Sequence, residues 1–125
     1  MTSAAGHPGD SEVLAFDLYG TLVDPVAISC ELDQVLADSC GREAARLWRV
    51  KQLEYSFWLT AMGHYEDFRW VTARALDFAL ASIGVSLPDG QAQRLVELYD
   101  HLRPFPDAVP ALRALAGLGL SLIHI

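Results

Sequence analysis

The sequence predicts an α/β fold in which a run of helices interrupts a parallel core sheet, and three observations lead there. Short apolar runs stand near both ends of the chain, at Val13-Leu14-Ala15-Phe16 and over residues 120–125. Between them apolar residues recur at helical spacing in several stretches, and no segment repeats. A strand at each end with helices between is the order expected when a helical insertion separates two parallel neighbours of one sheet.

Residues 1–11 are small, polar and Gly/Pro-containing, with neither a basic start nor an apolar run, so they read as a loose tail rather than a secretory signal. The run from Val13 to Phe16 is continuously apolar instead of alternating, which predicts a strand buried on both faces. Asp17-Leu18-Tyr19-Gly20-Thr21 is then a loop at its C-terminal end, with Gly20 allowing a sharp turn. Pro25 holds Asp24 extended and closes this unit.

The period then changes from strand to helix. Ile28, Leu32, Val35 and Leu36 fall at helical spacing, and Gly41 reads as a break. A long helix is expected over about residues 42–62, with an inward stripe of Leu47, Val50, Leu53, Phe57 and Ala61 and with Gly63 closing it. A third covers about residues 67–83, with Phe68, Val71, Ala75, Phe78 and Ile83 on one side. A fourth starts near Pro88 or Asp89, carries Leu95, Leu98 and Leu102, and is broken by Pro104 and Pro106. The last runs over about residues 108–118 with Val109, Leu112 and Leu115 inward, and residues 120–125 form the second strand. The expected organisation is a tail over 1–11, a first core strand and loop over 12–25, a helical region over 26–103, and a return to the core over 104–125.

Composition narrows the function classes. At 125 residues the chain is at most one ordinary domain, and 52% hydrophobic against 20% charged residues rules out a disordered chain. A formal net charge of -7 with no basic run argues against a nucleic-acid partner. No segment reaches the ~20 apolar residues of a membrane span. Cys30 and Cys40 sit in no CxxC or Cys/His cluster, so no metal site is suggested, and two reduced thiols in a cytoplasmic setting are expected.

Asp17 is the first candidate for chemistry. A carboxylate just past a parallel strand stands where open α/β sheets place their ligands, and it can attack carbon or phosphorus to give a covalent intermediate. Asp is also common as a turn cap after strands, and spacing alone does not choose between the two.

Phe16-Asp17-Leu18-Tyr19-Gly20-Thr21-Leu22 resembles the first motif of the haloacid dehalogenase superfamily, Asp-x-x-x-Thr after a hydrophobic strand. The resemblance makes Asp17 the nucleophile and Thr21 the hydroxyl that orients it. Phosphatases of that superfamily usually carry a second Asp two residues on, which protonates the leaving alcohol beside a magnesium ion. Here that position is Tyr19, and a halide leaving group needs no proton, so the form resembles the type II dehalogenases. Leu47-Trp48-Arg49-Val50-Lys51-Gln52-Leu53-Glu54-Tyr55 likewise resembles that branch's Trp-Arg-x-Lys-Gln-Leu-Glu-Tyr stretch. The resemblance runs from about Val13 to Leu120, through Phe68 and Leu102-Arg103-Pro104-Phe105-Pro106-Asp107.

It implies an incomplete Rossmann-like core with a helical-bundle cap inserted after the first strand. It also implies hydrolysis of the carbon–halogen bond of short 2-haloalkanoic acids, without metal or organic cofactor. Arg49 would bind the substrate carboxylate and the departing halide, two jobs that suit a fixed guanidinium. The backbone N–H groups of Leu18 and Tyr19 would hold the substrate carboxylate, and Tyr19, Leu53 and Phe68 would line its alkyl side. Leu53 and Phe68 read equally well as helix packing. Relatives of this kind are often dimers through the cap helices. The Ser/Thr-Asn-Gly loop, lysine and acidic group that follow the second strand in the family have no counterpart after Leu118-Gly119-Leu120-Ser121-Leu122-Ile123-His124-Ile125. The chain therefore reads as cut in mid-fold with a foreign end, so little turnover and low stability are expected of it alone. A phosphatase and a non-catalytic helical interaction module are the competing readings.

Overall fold

The computed structural model describes residues 13–36 and 40–124. The loose tail expected over 1–11 lies outside them. The chain divides into two compact units, one formed by Met1–Asp24 with Pro104–Ile125 and the other by Pro25–Arg103.

Among the described residues the first unit holds two strands, β1 (Val13–Phe16) and β2 (Ser121–His124), paired in parallel with Val13 opposite Ser121 and Phe16 opposite His124. Single bridges join Tyr19 to Val23 and Val23 to Pro104, and the Phe105 N–H donates to the Leu22 carbonyl at 2.9 Å. The last helix of the chain (Ala108–Ala116, labelled α5 below) contacts β2. The expectation of a strand buried on both faces is corrected: residues along β1 alternate between exposed and half-buried, and Val13 is 53% exposed. The apolar run is real, but a two-stranded sheet has too few neighbours to cover both its faces.

The second unit is helical: a 3-10 turn at Pro25–Ile28, α1 (Ser29–Val35), α2 (Gly41–Ala61), α3 (Phe68–Ser82), α4 (Asp89–Leu98) and a 3-10 turn at Tyr99–His101. Its core includes Leu32, Ala44, Ala45, Trp48, Val71, Ala75, Leu76, Ala79, Leu80, Leu95 and Tyr99. Asp67 caps α3, its side chain accepting from the Trp70 N–H at 2.7 Å.

The expected inward faces of several helices are corrected by the structure. The buried face of α2 is Gly41, Ala44, Ala45, Trp48 and Gln52, while Val50, Leu53, Phe57 and Ala61 are exposed and Leu47 is half-buried. Both sets keep the helical period. Packing selected the face of small residues because it lets α2 approach its neighbours closely, with Trp48 filling the space beyond. The break expected at Gly41 falls where α1 and α2 separate, and Gly41 itself is the first residue of α2. A Cβ there would lie 2.5 Å from Asp33 Oδ1 and from the Ser29 carbonyl, while the Gly41 N–H donates to that same Oδ1 at 2.8 Å. In α3, Val71 and Ala75 are buried as expected, but Thr72, Leu76, Ala79 and Leu80 complete the face and Phe68 and Phe78 are exposed. Leu98 of α4 and Val109 of α5 also point outward, whereas Leu95 is buried.

Candidate active site

Asp17 follows the last residue of β1, where the backbone leaves the sheet. The loop folds on itself: the Leu18 carbonyl accepts from the N–H groups of Leu22 at 2.9 Å and Val23 at 3.0 Å, and the Gly20 N–H donates to the Val23 carbonyl at 2.8 Å. Gly20 has φ 96°, a conformation side chains resist, and this allows the reversal. The fold brings Thr21 back to Asp17, and Thr21 Oγ1 donates to Asp17 Oδ2 at 3.1 Å. Asp17 and Thr21 are exposed, and Leu18 and Tyr19 are half-buried. A carboxylate oriented by a hydroxyl in an open loop is equipped to act as a nucleophile or as an anchor for a small ligand.

Arg49, Leu53 and Phe68 belong to the helical unit. Arg49 is half-buried on α2, and its Nη1 donates to Gln52 Oε1 at 3.4 Å. Leu53 lies one helical turn beyond Arg49 on α2 and Phe68 opens α3; they are 42% and 39% exposed, so neither is a core residue. Sequence reasoning gave no role to Gln52 of α2 or to Thr72 and Tyr99, all three buried, with Thr72 and Tyr99 each hydrogen-bonded to Gln52. The available signals were the place of Gln52 in the stretch that resembles the family and its spacing three residues after Arg49, and a solvated helix face explains that spacing as readily.

Elsewhere on the helical unit, Tyr55, Trp58, Leu59, Met62, Trp70, Arg74, Asp77 and Phe78 line an apolar groove of about 420 Å³, to which none of the sequence-predicted site residues contributes. Among the described residues no group of three or more His, Cys, Asp or Glu side chains is placed to hold a metal ion, and no helix is long and apolar enough to cross a membrane. Cys30 and Cys40 are both thiols.

The profile of the haloacid dehalogenase-like hydrolases matches residues 12–124. An (S)-2-haloacid dehalogenase of Pseudomonas fluorescens is 43% identical over 105 residues, covering 84% of this chain and 46% of that protein. Haloacetate dehalogenase H-2 of Moraxella sp. is 41% identical over 113 residues, covering 89% of this chain and 49% of its own length. Among solved structures, the L-2-haloacid dehalogenase of Xanthobacter autotrophicus with chloropropionic acid covalently bound superposes with a TM-score of 0.83 at 31% identity, covering 92% of this chain and 46% of that one. The chain thus spans about half the length of the curated relatives it matches.

Proposed function

Because this chain belongs to the haloacid dehalogenase-like hydrolase family, we propose that it carries the nucleophile-bearing portion of an (S)-2-haloacid dehalogenase. The observation that carries the reading is the Thr21 hydroxyl donating to Asp17 Oδ2 in the loop after β1. That bond engages one carboxylate oxygen and fixes the direction of the other. Tyr19, two residues beyond Asp17, offers no carboxylic acid to protonate an alcohol, which favours a leaving group that departs without a proton. This counts against the phosphatase reading, and the Arg49 segment would be a coincidence in a non-catalytic helical module.

In the proposed reaction an Asp17 carboxylate oxygen attacks carbon 2 of the acid from the side opposite the halogen. The carbon–halogen bond breaks, its electron pair leaves with the halide, and an ester joins Asp17 to the substrate. Water then attacks the carboxyl carbon of Asp17 and the acyl–oxygen bond of the ester breaks; one proton of the water ends on the departing hydroxyacid oxygen, the other passes to solvent, and the aspartate keeps one oxygen from water. A single inversion turns an (S)-2-haloacid into an (R)-2-hydroxyacid. Arg49 would hold the substrate carboxylate and offset the charge growing on the halide, while Leu18 and Tyr19 N–H groups would bind the carboxylate. Tyr19, Leu53 and Phe68 would cover the alkyl side, where excluding water strengthens the nucleophile. A homodimer, which rests on the resemblance, and a cytoplasmic location, which rests on the two reduced thiols, belong to the same reading; sedimentation equilibrium reads the first directly.

The test is one turnover of (S)-2-chloropropionate in heavy-oxygen water. It uses a protein that joins these residues to the Ser/Thr-Asn-Gly loop, lysine and acid of the family. One heavy oxygen should appear in Asp17, and chloride release should vanish in Asp17→Asn. Label confined to the hydroxyacid would defeat the mechanism. Release of p-nitrophenol from p-nitrophenyl phosphate with magnesium would favour the phosphatase instead.

A further inference from the structure

Gln52 is fully buried in α2, a position where a polar side chain is costly unless its hydrogen bonds are satisfied. Both ends of its amide are engaged. The nitrogen donates to Thr72 Oγ1 at 2.8 Å, and the oxygen accepts from the Tyr99 hydroxyl at 2.8 Å. The surroundings are fixed in turn. The Thr72 hydroxyl donates to the Phe68 carbonyl at 2.7 Å, the Trp48 indole N–H donates to the Thr72 carbonyl at 2.8 Å, and the rings of Trp48 and Tyr99 meet at 4.9 Å between centroids. Three elements, α2, α3 and the Tyr99–His101 turn, are tied together at one amide.

Stability alone is a poor reason for this arrangement, since apolar groups of matching shape can replace a satisfied buried polar cluster at little cost. What an apolar residue cannot supply is an acceptor aimed at a cation. Gln52 Oε1 also accepts from Arg49 Nη1, three residues earlier on the same helix. Gln52 is held by neighbours on two other elements, so its oxygen is fixed in place. At 3.4 Å the bond is longer than an ideal one, so it suits setting a direction more than gripping. It uses one of the five N–H groups a guanidinium offers, in a fork whose plane must be set before it can meet a carboxylate with two bonds.

We propose that Gln52 is a positioning residue for Arg49: its carbonyl, clamped by Tyr99 and Thr72, sets the plane of the guanidinium. What Arg49 then recognises, a 2-haloacid carboxylate and halide, rests on the dehalogenase reading; the positioning itself does not.

Nitrogen-15 NMR of the arginine side chains in this chain tests the proposal, with the Arg49 signals assigned through Arg49→Lys. The two Nη groups of Arg49 should give separate, slowly exchanging signals, unlike those of the exposed Arg46. Gln52→Leu keeps the volume and removes the acceptor, and should speed that exchange about tenfold, the effect of one lost bond to a charged donor. Gln52→Glu keeps an oxygen in place and should restore slow exchange, slower than wild type because the acceptor is now an anion. Circular dichroism establishes that each variant is folded. Should Gln52→Leu fail to fold, Gln52→Glu decides alone, and exchange no slower than wild type would overturn the proposal. A folded Gln52→Leu with unchanged exchange, or a wild type whose Arg49 rotates as freely as Arg46, would overturn it equally. A structural role alone would not move this signal. None of these readings needs turnover, so they stand apart from the heavy-oxygen result that tests the dehalogenase reading.

Discussion

At the scale of single residues, the hydroxyl of Thr21 is the contact on which the proposed chemistry turns. Both it and Asp17 are exposed, so the 3.1 Å bond between them adds little to folding and matters mainly for direction. Thr21→Val keeps the branched shape and removes the donor. It should leave the thermal midpoint almost unchanged and, in the protein completed with the family's loop, lysine and acid, lower the rate of chloride release roughly 10- to 100-fold, the effect of a misdirected reacting group. Thr21→Ser should recover most of the rate. A Thr21→Val enzyme with full activity would remove the hydroxyl from the mechanism.

At the scale of elements, α2 offers two faces of correct period, and only one is inside. The apolar face of Val50, Leu53 and Phe57 stays in solvent, while glycine, two alanines, a tryptophan and a glutamine form the contact surface. Gly41 shows why size outranks hydropathy there. Alanine is a better helix former than glycine by about 1 kcal/mol, so Gly41→Ala should stabilise an exposed helix start. Here the added methyl group would collide with the Ser29 carbonyl and with the Asp33 carboxylate that accepts the Gly41 N–H. Overpacking of this kind costs about 1–3 kcal/mol, which equals or exceeds the gain. Gly41→Ala should therefore lower the midpoint of chemical unfolding, and a higher midpoint would show that α1 and α2 can move apart without penalty.

At the scale of the whole molecule, the two units differ in how much they bury. The helical unit encloses Trp48, Leu32, Leu76 and Gln52 completely, whereas the other rests on a four-residue parallel pair in which Val13–Phe16 and residues 121–123 are exposed or half-buried. A two-stranded sheet is marginal by itself. Native-state hydrogen exchange should find the amides of β1 and β2 exchanging at least about tenfold faster than those in the middle of α2 and α3, as expected of a region with few buried apolar contacts. Equal protection across both units would mean that they open together.

The order of elements and the loop after the first strand were legible in the amino-acid pattern, and so was the pairing of Asp17 with Thr21, whose working role is part of the proposed function. Those features depend on local patterns: a continuous apolar run, a glycine able to adopt positive φ, and a motif whose two members lie within one turn of chain. Tertiary structure alone decided which side of α2 is buried, why Gly41 is glycine, and that Gln52 is satisfied by Thr72 and Tyr99. Hydropathy grades a residue by its affinity for water, whereas burial is set by how closely neighbouring elements can approach and by which partners they bring. Gln52 meets Thr72 from 20 residues away and Tyr99 from 47, separations no local pattern records.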